Sequence, residues 1–209
     1  MKEQYYEKLL NIKTSGNQKW DANFTHYHPY EPTPYSALES FFEQYTVDSN
    51  DHIVDFGCGK GRLIFFINYF YKAHVTGIEM NKAFYENALE NKISYLKKNR
   101  KNTDKVDFLC CFAQDYKIKP LDNKFYFFNP FSIQIFTKII ENILASLEVA
   151  QRRVELIIYY PSDDYIYYLE YCTPFMLKDD ITLKDLYKND VRERFVVYKL
   201  DYNFSSVYY

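Results

Sequence analysis

Asp55, Gly57, Gly59 and Gly61 stand at alternate positions in the stretch VDFGCGKGRLIFF, residues 54–66. The chain has only 5 glycines in 209 residues. Glycine costs backbone entropy on folding, so three in five positions imply backbone that must come close to something. Two further acids follow at the ends of apolar stretches: Glu79 closes VTGIEM, and Asp115 lies in CCFAQDY. Carboxylates in such places can accept hydrogen bonds from hydroxyl or amino groups. Farther on, FFNPF (Phe127, Phe128, Asn129, Pro130, Phe131) offers a side-chain amide and rigid backbone carbonyls among aromatic rings. The glycine run is neither of two familiar phosphate-binding patterns. A GxGxxG fingerprint fails because Arg62 occupies the third glycine position, and GxxxxGK[ST] is absent.

The surrounding sequence alternates strands and helices. HIVDF, HVTGIEM, KVDFLCCF, KFYFFNPF and RRVELIIYYP read as five strands. Between them GRLIFFINYFYK is apolar almost all round, which predicts a buried helix. NKAFYENALENKISYLKKNR predicts a long polar helix with Phe84, Ala88 and Ile93 on its apolar stripe. SIQIFTKIIENILASLE predicts another, with Ile135, Ile139, Ile143 and Leu147 inward. Such alternation, with right-handed crossovers, predicts an α/β doubly wound fold whose parallel sheet is covered on both faces. SDDYIYYLEY predicts a further helix. Two last strands, FMLKDDITLKDLY and RERFVVYKLDY, turn around Lys188, Asn189 and Asp190 and predict an antiparallel edge pair, making seven strands. Ahead of the first strand come a short amphipathic helix and a segment with Pro29, Pro32 and Pro34, which must run extended. The helix YSALESFFEQYT follows, with Leu38, Phe41, Phe42 and Tyr45 inward. In such a sheet ligands bind at the carboxyl ends of the strands, where Gly57, Glu79, Asp115 and Asn129 all fall.

Asp55–Gly57–Gly59–Gly61, followed by Glu79 and Asp115, resembles the motifs of class I S-adenosylmethionine-dependent methyltransferases over roughly residues 52–131. That resemblance implies a Rossmann-like methyltransferase domain over 46–209, with residues 1–45 as an N-terminal extension and cover helix. It implies S-adenosyl-L-methionine as cofactor and no metal. In the resemblance, Asp55, Phe56, Gly57, Cys58, Gly59 and Gly61 form the turn beneath the methionine part. Glu79, with Met80 beside it, accepts the ribose hydroxyls, and Asp115 receives the adenine amino group with Ala113 and Gln114 lining the ring. FFNPF is similar to the (D/N)PP(Y/F/W) motif of amino methyltransferases, with Phe131 where a second proline would stand. It assigns Asn129 to substrate orientation and Pro130 and Phe131 to substrate contact. HYHPYEPTPY resembles an element that folds over the cofactor in amine and protein-lysine methyltransferases, through Tyr30, Pro32 and Thr33. Lys60 and Arg62 are open to two readings, as holders of the cofactor carboxylate or as surface charges at a helix start.

Composition bounds the acceptor. The formal net charge is −2 and 20% of the residues are aromatic. The chain lacks the general basicity of a polyanion binder, and Lys97, Lys98, Arg100 and Lys101 suit a helix end. An amine on a protein or small molecule is therefore expected ahead of RNA, with Trp20, Phe24, Tyr27 and Tyr30 available to face a cation. A non-catalytic cofactor-binding subunit and an NAD-dependent oxidoreductase are the other classes. Four cysteines without CxxC spacing suit reduced thiols and a cytoplasmic setting. His26, His28, His52 and His74 offer no third-ligand pattern. No stretch has the length and apolarity of a membrane span.

Overall fold

The computed structural model describes residues 2–16, 31–99, 104–129, 131–183 and 188–201. Helix α1 (Lys2–Leu10) turns Tyr6 and Leu10 inward. Helix α2 (Tyr35–Phe42) begins directly after Pro34, whose fixed φ suits a helix entry. It buries Tyr35, Ala37, Leu38 and Phe41.

The alternating part then runs β1 (His52–Phe56), α3 (Arg62–Tyr71), β2 (His74–Glu79), α4 (Lys82–Lys98) and β3 (Val106–Cys110). A single 3-10 turn, Ala113–Asp115, leads toward β4 (Lys124–Phe127). After it come α5 (Ile133–Val149), β5 (Val154–Tyr159), α6 (Asp163–Cys172), β6 (Met176–Thr182) and β7 (Arg194–Leu200). The seven strands form one sheet in the order β3-β2-β1-β4-β5-β7-β6. The first five are parallel, and β7 is antiparallel to both β5 and β6. This is the doubly wound sheet with an antiparallel edge pair that the alternation predicts. Strand order reverses at β1, which lies between β2 and β4 and therefore next to the crevice where such sheets bind ligands.

Side-chain alternation splits the core in two. Val54 and Phe56 of β1 pack with Phe125 and Phe127 of β4, beneath α5 and α6. Ile53 and Tyr126 belong to the opposite face, beneath α1, α2, α3 and α4. Parallel strands covered on both faces should read as continuous apolar runs, and β5 is buried along its full length.

Two expectations change. The inward stripe of α4 is Phe84, Ala88, Asn91 and Tyr95, whereas Ile93 is exposed. A polar residue takes the inward place because Asn91 joins two other segments. Its Nδ2 donates to the carbonyls of Lys13 and Lys60, and its Oδ1 accepts from Lys13 N at 2.8 Å. The third glycine also has a different reason from the one its spacing suggests. Gly61 has φ +86°, and a Cβ there would lie 2.8 Å from the Phe108 ring and 2.9 Å from the Phe65 ring. Core packing excludes a side chain at Gly61.

Gly61→Ala therefore combines left-handed backbone strain with overpacking and is expected to cost about 1–3 kcal/mol in urea unfolding. Combined with Phe108→Ala it should cost less than the two single changes summed, because the small residue empties the space that the new methyl needs.

Candidate functional site

Strand β1 ends at Phe56, and the chain turns through Gly57 (φ +83°) and Gly59 (φ +54°), backbone that L side chains rarely adopt. The amides of Gly57 and Cys58 both donate to Ile78 O, at 2.9 and 3.1 Å, so the end of β2 anchors the turn. Glu79 completes the anchor. Its Oε2 accepts from Gly59 N at 2.9 Å and its Oε1 from Asn81 N at 2.7 Å. One carboxylate thus holds both the glycine turn and the entry to α4, where the Asn81 side chain caps the helix.

A cavity of about 230 Å³ opens at this end of the sheet. Its floor is Asp55, Gly57, Cys58, Glu79 and Met80. Cys111 and Ala113 stand on one side, and Phe128, Asn129, Phe131 and Tyr160 on the other. Glu31, Pro32 and Thr33 close it from the N-terminal side. Asp55 pairs in register with Gly77 on β2 and Tyr126 on β4. Asp55, Tyr126 and Glu79 consequently share one face of the sheet. The Tyr126 hydroxyl meets Thr33 Oγ1 at 2.7 Å in the wall.

The two acids differ in their partners. Burial raises the Glu79 carboxyl above the usual range, and the amides of Asn81, Gly59 and Met80 draw it back. Asp55 has no described donor. Burial first, and the nearby Glu79 charge second, push it up to about 8. The Cys58 thiol is pushed well up by burial and by the same two acids, which leaves it a poor nucleophile.

Residues that sequence reasoning grouped with the site are only partly brought together. Asp55, Gly57, Cys58, Glu79, Met80, Thr33, Asn129 and Phe131 line the cavity. Phe56 does not. Its ring lies in the opposite core, 5.2 Å from that of Phe127. Gln114 and Asp115 sit on the 3-10 turn outside the lining, with Asp115 exposed, and it is Ala113 that faces inward. Gly59 acts through its amide and Gly61 through packing. Tyr30 and Pro130 lie outside the described residues, as do His26, His28 and the aromatics Trp20, Phe24 and Tyr27. Arg62 and Lys60 are buried, at 5% and 8% exposure, so neither is a surface charge. Tyr126 and Tyr160 were missed, although both fall near the carboxyl ends of predicted strands. Tyr160 is a non-glycine residue at φ +53°, held by its hydroxyl to Asp190 Oδ2 at 2.5 Å and by Arg192 stacked on its ring. All four cysteines are free. Among the described residues there is no cluster of three metal-ligating side chains, and no helix is long and apolar enough to cross a membrane.

The donor set fits an adenosine-bearing amino acid. Each Glu79 oxygen accepts one amide and keeps capacity for a hydroxyl. The left-handed turn leaves the floor free of bulk at Gly57.

Residues 34–116 match a family model described as a methyltransferase domain. No curated protein matches. Among solved structures, human methyltransferase 10 domain containing protein is similar at 8% identity and TM-score 0.58, over 96% of this chain and 94% of its own. A putative methyltransferase, yhhF from Escherichia coli, is similar at 16% identity and TM-score 0.57, over 84% and 90%. An RNA methyltransferase from Salinibacter ruber, in complex with S-adenosyl-L-homocysteine, is similar at 17% identity and TM-score 0.51, over 81% and 92%. At these identities the likeness concerns the fold.

A carboxyl that folds neutral but unfolds to a group ionising near 4 loses stability as pH rises from about 4 to about 8. Asp55→Asn removes that loss. Its melting temperature should exceed the parent's by a margin that widens between pH 5 and pH 8, read by thermal denaturation in matched buffers.

Proposed function

We propose that this chain, a class I S-adenosylmethionine-dependent methyltransferase, methylates an amine nitrogen on a protein or small molecule. The observation that carries the acceptor class is the placement of Asn129. It follows β4, half-buried, at φ +38°, in the cavity wall between Phe128 and Phe131. Asparagine tolerates that backbone region better than other side chains, and the conformation spends some stability at the cavity.

When bound, S-adenosylmethionine would supply an electrophilic methyl carbon: the acceptor nitrogen's lone pair would form the N–C bond in line as the C–S bond breaks, S-adenosylhomocysteine leaving and the amine's surplus proton being lost to solvent. Glu79 would receive the ribose hydroxyls, and the turn at Gly57 and Cys58 would pass beneath the methionine part. Asp55 and Thr33 would meet polar groups of the same ligand. Met80 would pack against it, and Gln114, Asp115 and Tyr30 are the further cofactor contacts that the resemblance suggests. Asn129 acts by orientation: its amide oxygen accepts an N–H of the acceptor and so turns the lone pair toward the methyl. Phe128, Phe131 and Tyr160 keep water from the reacting atoms.

Charge favours an amine over a nucleic acid. Glu31 lines the cavity, Asp190 and Glu193 accept the hydroxyls of Tyr160 and Tyr159, and Asp163 and Asp164 stand in the first turn of α6. Arg62 is already engaged and Arg192 pairs with Asp190. A phosphate backbone would meet an acidic rim. RNA is the second reading, because the flat rings of Phe128 and Tyr160 would suit an unstacked base and several structural neighbours are described as RNA methylases. Four free thiols fit a reducing, cytoplasmic setting.

Calorimetry with S-adenosylmethionine, S-adenosylhomocysteine and NADH tests the cofactor. The first two should saturate, NADH should not bind, and Glu79→Ala should weaken binding about tenfold or more. Methyl-labelled cofactor offered to a lysine-rich peptide, spermidine and bulk tRNA then sorts the acceptors. Label on the peptide or spermidine supports an amine, and label on tRNA alone selects the second reading. Asn129→Ala should keep product affinity while losing about a hundredfold in turnover. A cofactor-binding subunit without activity would label nothing in any arm.

A further inference from the structure

Arg62 opens α3 directly after the glycine turn and is 5% exposed. Burying a guanidinium is costly, so its partners carry the explanation. Its Nε donates to Thr14 Oγ1 at 2.8 Å, its Nη2 to Ser15 Oγ at 3.1 Å and its Nη1 to the Thr33 carbonyl at 3.2 Å. Glu3 and Glu7 of α1 stand 3.7 and 3.8 Å away and balance the charge. The guanidinium lies over the Tyr35 ring, 4.5 Å from its centroid. Only a planar fork of donors can serve three acceptors on separate segments while stacking on a ring.

The near end of this network is itself ordered. Glu7 Oε1 accepts from Thr14 N, Thr14 Oγ1 and Ser15 N, so α1 shapes the loop that Arg62 grips. The far end reaches the cavity. Thr33 presents its carbonyl to Arg62 and its hydroxyl to Tyr126, and all three residues contribute to the wall.

We propose that Arg62 is a positioning residue for the cofactor cavity: it draws Thr33, and with it the Tyr126 hydroxyl, against the glycine turn, and so makes ligand affinity depend on the N-terminal helix. The proposal rests on the reading that this cavity binds S-adenosylmethionine. It differs from a carboxylate-holding role, because the arginine acts here on the protein's own wall.

A purely structural arginine would lower stability without touching affinity, and a second site on α3 provides that comparison. Asn68 is buried, donates to Ala73 O at 3.0 Å and accepts from the Tyr95 hydroxyl at 2.8 Å, away from the cavity lining. The full chain carrying Arg62→Met, Arg62→Lys, Thr33→Val or Asn68→Ala would be titrated with S-adenosylhomocysteine below its melting range. Arg62→Met should raise Kd about tenfold or more, Arg62→Lys should fall between it and the parent, and Asn68→Ala should lower the melting temperature with Kd within about twofold. Thr33→Val should weaken binding on its own and add little to Arg62→Met, since both release the same wall. A folded Arg62→Met that keeps parental Kd, or full additivity with Thr33→Val, overturns the proposal. Should Arg62→Met fail to fold, the same cycle with Arg62→Lys decides it by the same criterion. Absence of binding to the unsubstituted chain would instead remove the cofactor reading and the proposal with it.

Discussion

Two carboxylates lie at the carboxyl ends of neighbouring parallel strands, on the same face of the sheet, and much of the nearby structure serves to keep them there. Asp55 and Glu79 would ordinarily be expelled to water. Glu79 is retained because backbone amides satisfy it, among them those of the glycine turn and of the start of α4. Its bonds therefore set the geometry of the cavity floor. Asp55 is retained without a described donor, and burial with the nearby Glu79 charge raises its carboxyl well above the usual range. Gly77 lies between them in the register, and the absence of a side chain there admits Cys58 Sγ and the Phe108 ring, which would stand 2.6 and 2.7 Å from a Cβ. The turn can pack onto β2 only because that position is bare.

The abundance of tyrosine has a physical use in this fold. Several buried or half-buried rings carry their hydroxyl to a carboxylate: Tyr45 to Glu155, Tyr116 to Asp122, Tyr159 to Glu193, Tyr160 to Asp190 and Tyr198 to Glu170. Each supplies core area at one end and a donor at the other. Acids at the sheet's margins are thereby held without a matching number of arginines. Glu155 also receives Lys124 and Lys178, and against burial the Tyr45 hydroxyl first, then the two lysines, keep its carboxyl down to about 2. Phe136 and Tyr165 stack at 3.7 Å and bring α5 against α6 beneath the cavity wall, where the Tyr165 hydroxyl donates to Phe131 O. Packing and site geometry are thus built from the same rings.

The N-terminal segment belongs to this arrangement. Tyr6, Leu10 and Tyr35 share a core with α3 and the face of β1 that carries Asp55. Tyr6 and Tyr35 stack at 4.6 Å, and Tyr6 and Lys2 both donate to Glu39. Arg62 then links this layer to the cavity through polar contacts. Helix α1 is thereby tied, through Arg62, to the wall of the cavity.

Local pattern determined the order and kind of the elements. Continuous apolar strands such as HIVDF, separated by helices with three-four spacing, allow little besides a parallel sheet covered on both faces, and the glycine run marked the turn that floors the cavity. Those features are legible because they depend on neighbours within a few residues. Tertiary structure decided which residues reach the cavity. The resemblance places Ala113, Gln114 and Asp115 there together, and of the three the 3-10 turn presents Ala113 inward. Phe56 follows Asp55 directly and faces the other core because successive strand residues point to opposite sides. Gly61 looks the same in sequence as Gly57, but the rings that exclude a side chain from it come from β3 and α3. Arg62 carries no sign of its hydrogen-bond partners, which lie 29 to 48 positions away along the chain. Sequence periodicity reports which way a residue points within its own element, and it carries no record of what another element brings to meet it.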